Sequence, residues 1–334
     1  MKILVLNAGS SSQKSCLYEL GDTLPQQPPE PLWQADIDWT GSNEEGKLTV
    51  DAQGKTAEIS LDPNDRSGAI ATMLETLTEG KTKAIEQLTD INIVGHRVVH
   101  GGADYSQATL ITGAVKEAIA SLIPLAPNHN PAHLEGIEAV EKVLPDIPQL
   151  AVFDTAFHSQ MPPEAAVYPI PYEWYEKGIR RYGFHGINHK YCAERTAQLL
   201  DQPLDSLKII TCHLGNGCSL AAIKNGISIN TTMGFTPLEG LMMGTRSGSI
   251  DPAIPIYLMR DHGMDADRID EMLNQASGLQ GISGETSDMR QIASLIEQGH
   301  DRAQLAFNLY IERLKAGIAS LLPMLGGLDA LVFT

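Results

Sequence analysis

The chain has 334 residues, of which 43% are hydrophobic and 19% charged, enough for two domains with cores of their own. A formal charge of −17 argues against nucleic acid or an anionic membrane surface as partner, but leaves room for an anionic small molecule held by local arginines. The cysteines at 16, 192, 212 and 218 form no CxxC pair, so free thiols in a reducing compartment are expected.

The opening MKILVLNAGS carries one lysine and a short apolar run, neither a signal peptide nor a membrane anchor, and predicts a cytoplasmic protein. Residues 2–20 read as strand, loop, strand. Residues 21–66, rich in Pro, Gly, Gln and acids, read as short strands and exposed turns. Ile70, Met73, Leu74 and Leu77 carry a helical period over 68–88. A strand over Ile91–Val99 runs into HRVVHGG. Helices follow at 114–123 and 131–143, the second with Asn130 as N-cap and Pro131 at its first position. Leu150–Asp154 is a buried strand ending in a carboxylate. The proline-rich MPPEAAVYPIPYEW at 161–174 suggests a boundary near 155–165, giving domains 1–155 and 156–334. A loop, GIRRYGFHG, precedes a helix to residue 200. After a strand at 208, residues 230–253 form a Gly-, Thr- and Met-rich loop. A long helix at 301–322, capped by Asp301, leads to a terminal strand at 328–334. Alternating strands and helices place the chain in the α/β class.

Two stretches match. Ile3-Leu-Val-Leu-Asn7-Ala-Gly9 and Ile209-Ile-Thr-Cys-His213-Leu-Gly215 each run a short apolar strand into a glycine-bearing polar loop. Glycine lets the backbone turn sharply and bring its N–H groups to an anion. The pair suggests a duplicated fold with a phosphate loop in each half. Arg97, His185 and Arg246 sit in glycine-flanked loops, and arginine suits bidentate capture of carboxylate or phosphoryl oxygens. Asp154, at the end of an apolar strand, must be paired or near a metal; the expected metal is Mg²⁺, with Asn7 placed similarly. There is no HExxH, Walker loop, GxGxxG or GxSxG.

The set NAGSSSQK (7–14), HRVVHGG (96–102), APNHNPAH (126–133), AVFDTAFH (151–158), RRYGFHG (180–186), HLGNGCS (213–219) and NTTMGFTPLEGLMMGTRSG (230–248) resembles the acetate kinases, in order along the chain. The resemblance implies two duplicated actin-like (ribonuclease H-like) α/β domains with the active site in the cleft between them. It implies Mg²⁺-dependent, reversible, in-line phosphoryl transfer from ATP to acetate, with Mn²⁺ as a substitute metal, in a homodimer. Carried over, Asn7 is the metal ligand, and Ser12 and Lys14 are ATP contacts. Arg97 binds the carboxylate, while Val99, Phe184 and Pro237 line the methyl pocket. His129 and Asp154 are active-site positions, and His185 and Arg246 stabilise the transferring phosphoryl. His213, Leu214, Gly215, Asn216 and Gly217 form the phosphate loop; Asp288, Met289 and Arg290 contact adenosine. The attacking carboxylate is ionised at neutral pH and needs no strong base, which assigns Asp154 to metal and geometry.

Three features depart from the pattern. Asn128 stands where a hydrophobic residue usually lines the acetate pocket, and Ser249 where Asp is usual. The GGIGE-type adenosine loop beyond the terminal strand is not in the sequence, so a C-terminally shortened chain with weak ATP binding and little turnover is expected. The alternatives are a propionate or other short-chain acyl kinase, and a nucleotide-binding module without turnover. A mere nucleotide switch would not need Arg97, Asp154, His185 and Arg246 together.

Overall fold

The computed structural model describes all residues except 10, 11, 24, 26, 40–44 and 128; Ser10 and Ser11 of the first loop, and Asn128, therefore lie outside the described residues. The chain divides into two compact units, Met1–Asp154 and Thr155–Thr334.

In the first unit, β1 (Lys2–Ala8) buries Leu4 and Leu6 and exposes Val5, the period of two that a one-face-buried strand requires. It pairs antiparallel with β2 (Ser12–Glu19). A meander continues through β3 (Trp33–Asp38), β4 (Gly46–Ala52) and β5 (Lys55–Leu61), resolving the stretch expected as short strands and turns. After α1 (Arg66–Glu75), β6 (Ile93–Val98) runs parallel to β1. Then come β7 (Thr109–Leu110), α2 (Gly113–Ser121), α3 (Asn130–Val143) and β8 (Gln149–Phe153). The sheet order is β5-β4-β3-β2-β1-β6-β8-β7. Its core gathers Leu4, Leu6, Trp33, Ile37, Leu48, Met73, Leu74 and Leu77.

The second unit begins with the short helices α4 (Pro163–Ala166) and α5 (Glu173–Glu176), then α6 (Gly186–Leu200). The strands β9 (Lys208–Leu214), β10 (Cys218–Lys224) and β11 (Ile227–Thr231) follow. The helices α7 (Ala253–His262), α8 (Ala266–Gln275), α9 (Gly278–Ser283), α10 (Met289–Glu297) and α11 (Asp301–Leu325) precede β12 (Ala330–Phe333). Its sheet order is β11-β10-β9-β12. No helix among the described residues is long and apolar enough to cross a membrane.

The sheets repeat. β3-β2-β1-β6 and β11-β10-β9-β12 are each three antiparallel strands followed by one parallel to the first, the start of a ribonuclease H-like sheet. Ile3 stands opposite Tyr18 and Ile93, as Ile209 stands opposite Ile223 and Ala330. Asn7 pairs with Lys14 and His213 with Ser219, so the first hairpin loop is one residue longer.

Some expected bounds move. The first helix ends at Glu75, because Thr76 turns its hydroxyl onto the Met73 carbonyl and the chain then turns through Gly80 at φ +73°. Asn130 is not an N-cap. His129 holds that place, and Asn130 lies inside the first turn of α3, fully buried, giving its amide N–H groups to the His100 and Ile119 carbonyls. Asp301 is the first residue of α11 rather than its cap; the His300 ring accepts from the Ala303 N–H instead.

Candidate active site

In the first unit the parallel strands β1, β6 and β8 end side by side, which brings together residues that are distant in sequence. Arg97, on β6, donates from Nε to both Asp154 oxygens at 3.2 Å and from Nη2 to Oδ2 at 2.6 Å. Its Nη1 donates to Asn7 Oδ1 at 2.9 Å. Asp154 is only 2% exposed, and this fork supplies the partner its burial demands. Burial works against the Arg97 charge, but the charge and hydrogen bonds of Asp154 outweigh it and raise the guanidinium above its ordinary value. The backbone N–H of Asp154 extends the ladder to the Val98 carbonyl at 2.9 Å. Val99 is buried just beyond β6.

The first loop closes tightly: Gly9 N–H donates to the Ser12 carbonyl at 2.7 Å, and a Cβ on Gly9 would lie 2.9 Å from that oxygen. Lys14, on β2 opposite Asn7, reaches Asp36 at 3.6 Å on an exposed face. No group of three or more His, Cys, Asp or Glu side chains among the described residues could hold a metal. Asn7 is exposed at the end of β1, and its amide oxygen, which accepts from Arg97 Nη1 here, is of the type that would suit an Mg²⁺ keeping most of its water.

In the second unit the loop between β9 and β10 carries Gly215 and Gly217. A Cβ placed on Gly217 would stand 3.4 Å from Arg246 Nη1 and 3.4 Å from His185 Nε2, so both side chains converge on the loop backbone. Gly244 N–H donates to the Asn216 carbonyl at 3.0 Å, and any side chain on Gly244 would strike Asn216. This contact ties the MMGTRSG segment to the loop. Arg246 donates to the Pro237 carbonyl at 3.2 Å. It is half-buried, burial lowers it from its ordinary value, and no carboxylate pairs with it among the described residues.

His185 is the N-cap of α6 with φ +58° and ψ +20°, left-handed backbone that a non-glycine residue rarely adopts. Phe184, beside it, is buried. The His185 ring lies against His213, with centroids 4.1 Å apart and the rings tilted by 31°. Asp288 and Arg290 have a local role of their own: Asp288 caps α10, accepting from the Arg290 N–H at 2.8 Å and from its guanidinium at 2.6 Å. That bonding draws the Asp288 carboxyl down to about 2.

The residues read from sequence thus fall into two sets: Asn7, Ser12, Lys14, Arg97, Val99, His129 and Asp154 in the first unit, the others in the second. Several supporting residues were not foreseen. His158, fully buried, donates from Nε2 to the Phe184 carbonyl at 3.0 Å and accepts from Ser228 at 2.7 Å. His189, Ser219 and Thr211 lie buried behind His185. The available signal was a polar residue inside an otherwise apolar strand, as at Thr211 and Ser219.

Comparison with known proteins gives a consistent answer. The chain matches the Acetokinase family over residues 2–334. It is 68% identical to the acetate kinase of Rippkaea orientalis, over 100% of this chain and 83% of that protein. It is similar to the crystal structure of Porphyromonas gingivalis acetate kinase, with 41% identity and a TM-score of 0.89, covering 99% of this chain and 82% of that one. A propionate kinase from Francisella tularensis is similar at 40% identity and the same TM-score of 0.89, with 99% and 82% covered.

Proposed function

The chain belongs to the acetokinase family and is a phosphotransferase acting between ATP and acetate; from that premise we propose which of its residues carry the transfer. The observation that carries the assignment is Arg246, a half-buried guanidinium without a carboxylate partner among the described residues, converging with His185 on Gly217. A buried cation unmatched by an acid favours an anion, and a phosphoryl in transfer presents three charged oxygens. Arg246 and His185 stabilise those oxygens, and the backbone of Gly215–Gly217 holds the remaining phosphates.

Acetate binds Arg97. Asp154 fixes the Nε–Nη2 edge of the guanidinium, so the Nη1 edge, bonded to Asn7 in this structure, is the one offered to the substrate carboxylate. That carboxylate is already ionised, so Asp154 serves as the counter-charge that aims Arg97 rather than as a base. His129, the N-cap residue of α3, is assigned to the same acetate site. Val99, Phe184 and Pro237 supply the apolar surface for the methyl group. Mg²⁺ carried on the nucleotide would take Asn7 Oδ1 and neutralise phosphate charge. Ser12 and Lys14 contact ATP, and the exposed Arg290 guanidinium over the start of α10 supports the Asp288–Arg290 segment as an adenosine contact. A homodimer is part of the same proposal, supported by the exposed apolar side chains Ile254, Ile256, Tyr257 and Met259 on α7. A preference for propionate is the second reading, favoured by the likeness to a propionate kinase.

A hydroxamate trap for acyl phosphate, run with ATP and acetate, tests the assignment. Arg246→Ala should lose on the order of 10²–10³ in turnover, and Arg246→Lys should recover little, because an ammonium cannot form the planar fork. Near-normal turnover in the alanine variant would remove Arg246 from the phosphoryl site.

A further inference from the structure

Behind His185 lies a continuous chain of side-chain hydrogen bonds. His185 Nδ1 is 2.8 Å from Ser219 Oγ. The same hydroxyl is 2.7 Å from His189 Nε2. His189 Nδ1 is in turn 2.6 Å from Thr211 Oγ1. Ser219, His189 and Thr211 are each 0% exposed. The front of the His185 ring, at Cε1 and Nε2, faces the Gly217 backbone. The chain runs through three elements, α6, β9 and β10, within one unit.

With a neutral His185, proton counting and the burial of the Ser219 hydroxyl restrict this chain to two polarities. Burial, with smaller effects from His158 and His213, holds His189 well below the ordinary histidine value, so its ring is neutral with one N–H. A hydroxyl has one proton to give. If His189 donates from Nε2, Ser219 could also accept from His185 only by leaving its own buried proton without an acceptor among the described residues, so it donates to His185 Nδ1, and a neutral His185 then carries its proton on Nε2. If His189 donates from Nδ1 to Thr211, every bond reverses and the neutral His185 presents a bare Nε2. Only the first polarity places a donor toward phosphoryl oxygens, and hydrogen bonds aligned head to tail strengthen one another. We propose that Ser219 and His189 are positioning residues that hold His185 in the tautomer with its proton on Nε2, facing the transferring phosphoryl. The proposal rests on the reading of His185 as a phosphoryl donor.

The test is ¹⁵N NMR of histidine-labelled full chain near pH 8, with the His185 signals assigned by their loss in His185→Gln. The wild-type ring should show a protonated Nε2 and an unprotonated, hydrogen-bonded Nδ1. In Ser219→Ala the Nδ1 signal should move as its donor is lost. Turnover should fall roughly 10–100-fold, the usual cost of removing an orienting partner, with the KM for acetate little changed. A wild-type ring protonated on Nδ1, or on both nitrogens, would overturn the proposal without any variant needing to fold. An unchanged His185 spectrum in a folded Ser219→Ala would overturn it as well. Unimpaired turnover in His185→Ala, where the wild-type ring does carry its proton on Nε2, would instead sink the phosphoryl reading on which the proposal rests.

Discussion

Gly183 packs its Cα against the His158 ring so closely that an added Cβ would lie 2.7 Å from His158 Cδ2 and Cγ, and 2.6 Å from Thr231 Cγ2. Its φ of +76° independently favours glycine. The next carbonyl, that of Phe184, accepts from His158 Nε2, and the next residue is the left-handed His185. Glycine and a buried histidine therefore hold the backbone that aims the His185 ring. Gly183→Ala should cost on the order of 1–3 kcal/mol in urea unfolding. Turnover should fall further than the KM for acetate rises, since the ring moves while Arg97 does not. A variant of wild-type stability and rate would show that this turn has slack.

Arg97 and Asp154 make the second prediction. Asp154→Asn removes the counter-charge from the guanidinium and should cost about 2 kcal/mol of stability, the range for a hydrogen bond to a charged group. Released from its fork, Arg97 should hold acetate poorly, raising KM and lowering turnover. The Mg²⁺ requirement should stay as it is, because Asp154 spends both oxygens on Arg97. A marked rise in the Mg²⁺ concentration needed for half-maximal rate would return Asp154 to the metal.

The elements with local causes were legible in the sequence. Leu4 and Leu6 mark β1 by their period, and the match of Ile3 to Ile209 corresponds to equivalent positions in two sheets. The first helix reads too long because the apolar period runs through Leu77, while the stop signal is a single hydroxyl at Thr76. Asn130 looks like a cap by type, yet its amide is drawn into bonds with His100 and Ile119, whose positions only the fold sets. Asp154 announces by burial that it needs a partner. That an arginine 57 residues away reaches it follows from the parallel pairing of β6 with β8, which no local pattern announces. Ser219 and His189 escape detection for the same reason. A polar residue in an apolar strand looks alike whether it faces a ligand or another side chain.

Substrate size supplies the third prediction. Val99→Ala should open room for roughly one methylene and move the propionate-to-acetate ratio of kcat/KM by about 1 kcal/mol toward propionate. An unchanged ratio would take Val99 out of the methyl pocket.

The last prediction concerns acid. His133, on α3, is 2% exposed, and neither ring nitrogen has a hydrogen-bond partner among the described residues. Burial first, then the charges of Arg97, His129 and His96, bring it down from 6.5 to about 3. His96, buried against Gln149, is brought down to about 4. Both rings are neutral in the folded chain, whereas the unfolded chain takes up protons as pH drops below 6.5. Stability from these groups is therefore complete above pH 6.5 and is lost as pH falls from there toward 4 for His96 and 3 for His133. His133→Leu removes an unsatisfied polar group at similar volume. At pH 7.5 it should leave stability within about 1 kcal/mol of wild type, or raise it. At pH 5 it should stand about 2 kcal/mol better relative to wild type than at pH 7.5, because 1.5 pH units of proton uptake by one histidine are gone. Urea midpoints across pH 7.5 to 5 measure both. Parallel profiles for the two proteins would mean that His133 titrates normally in the fold. A loss of more than about 3 kcal/mol at pH 7.5 would mean that the ring makes bonds of real strength there.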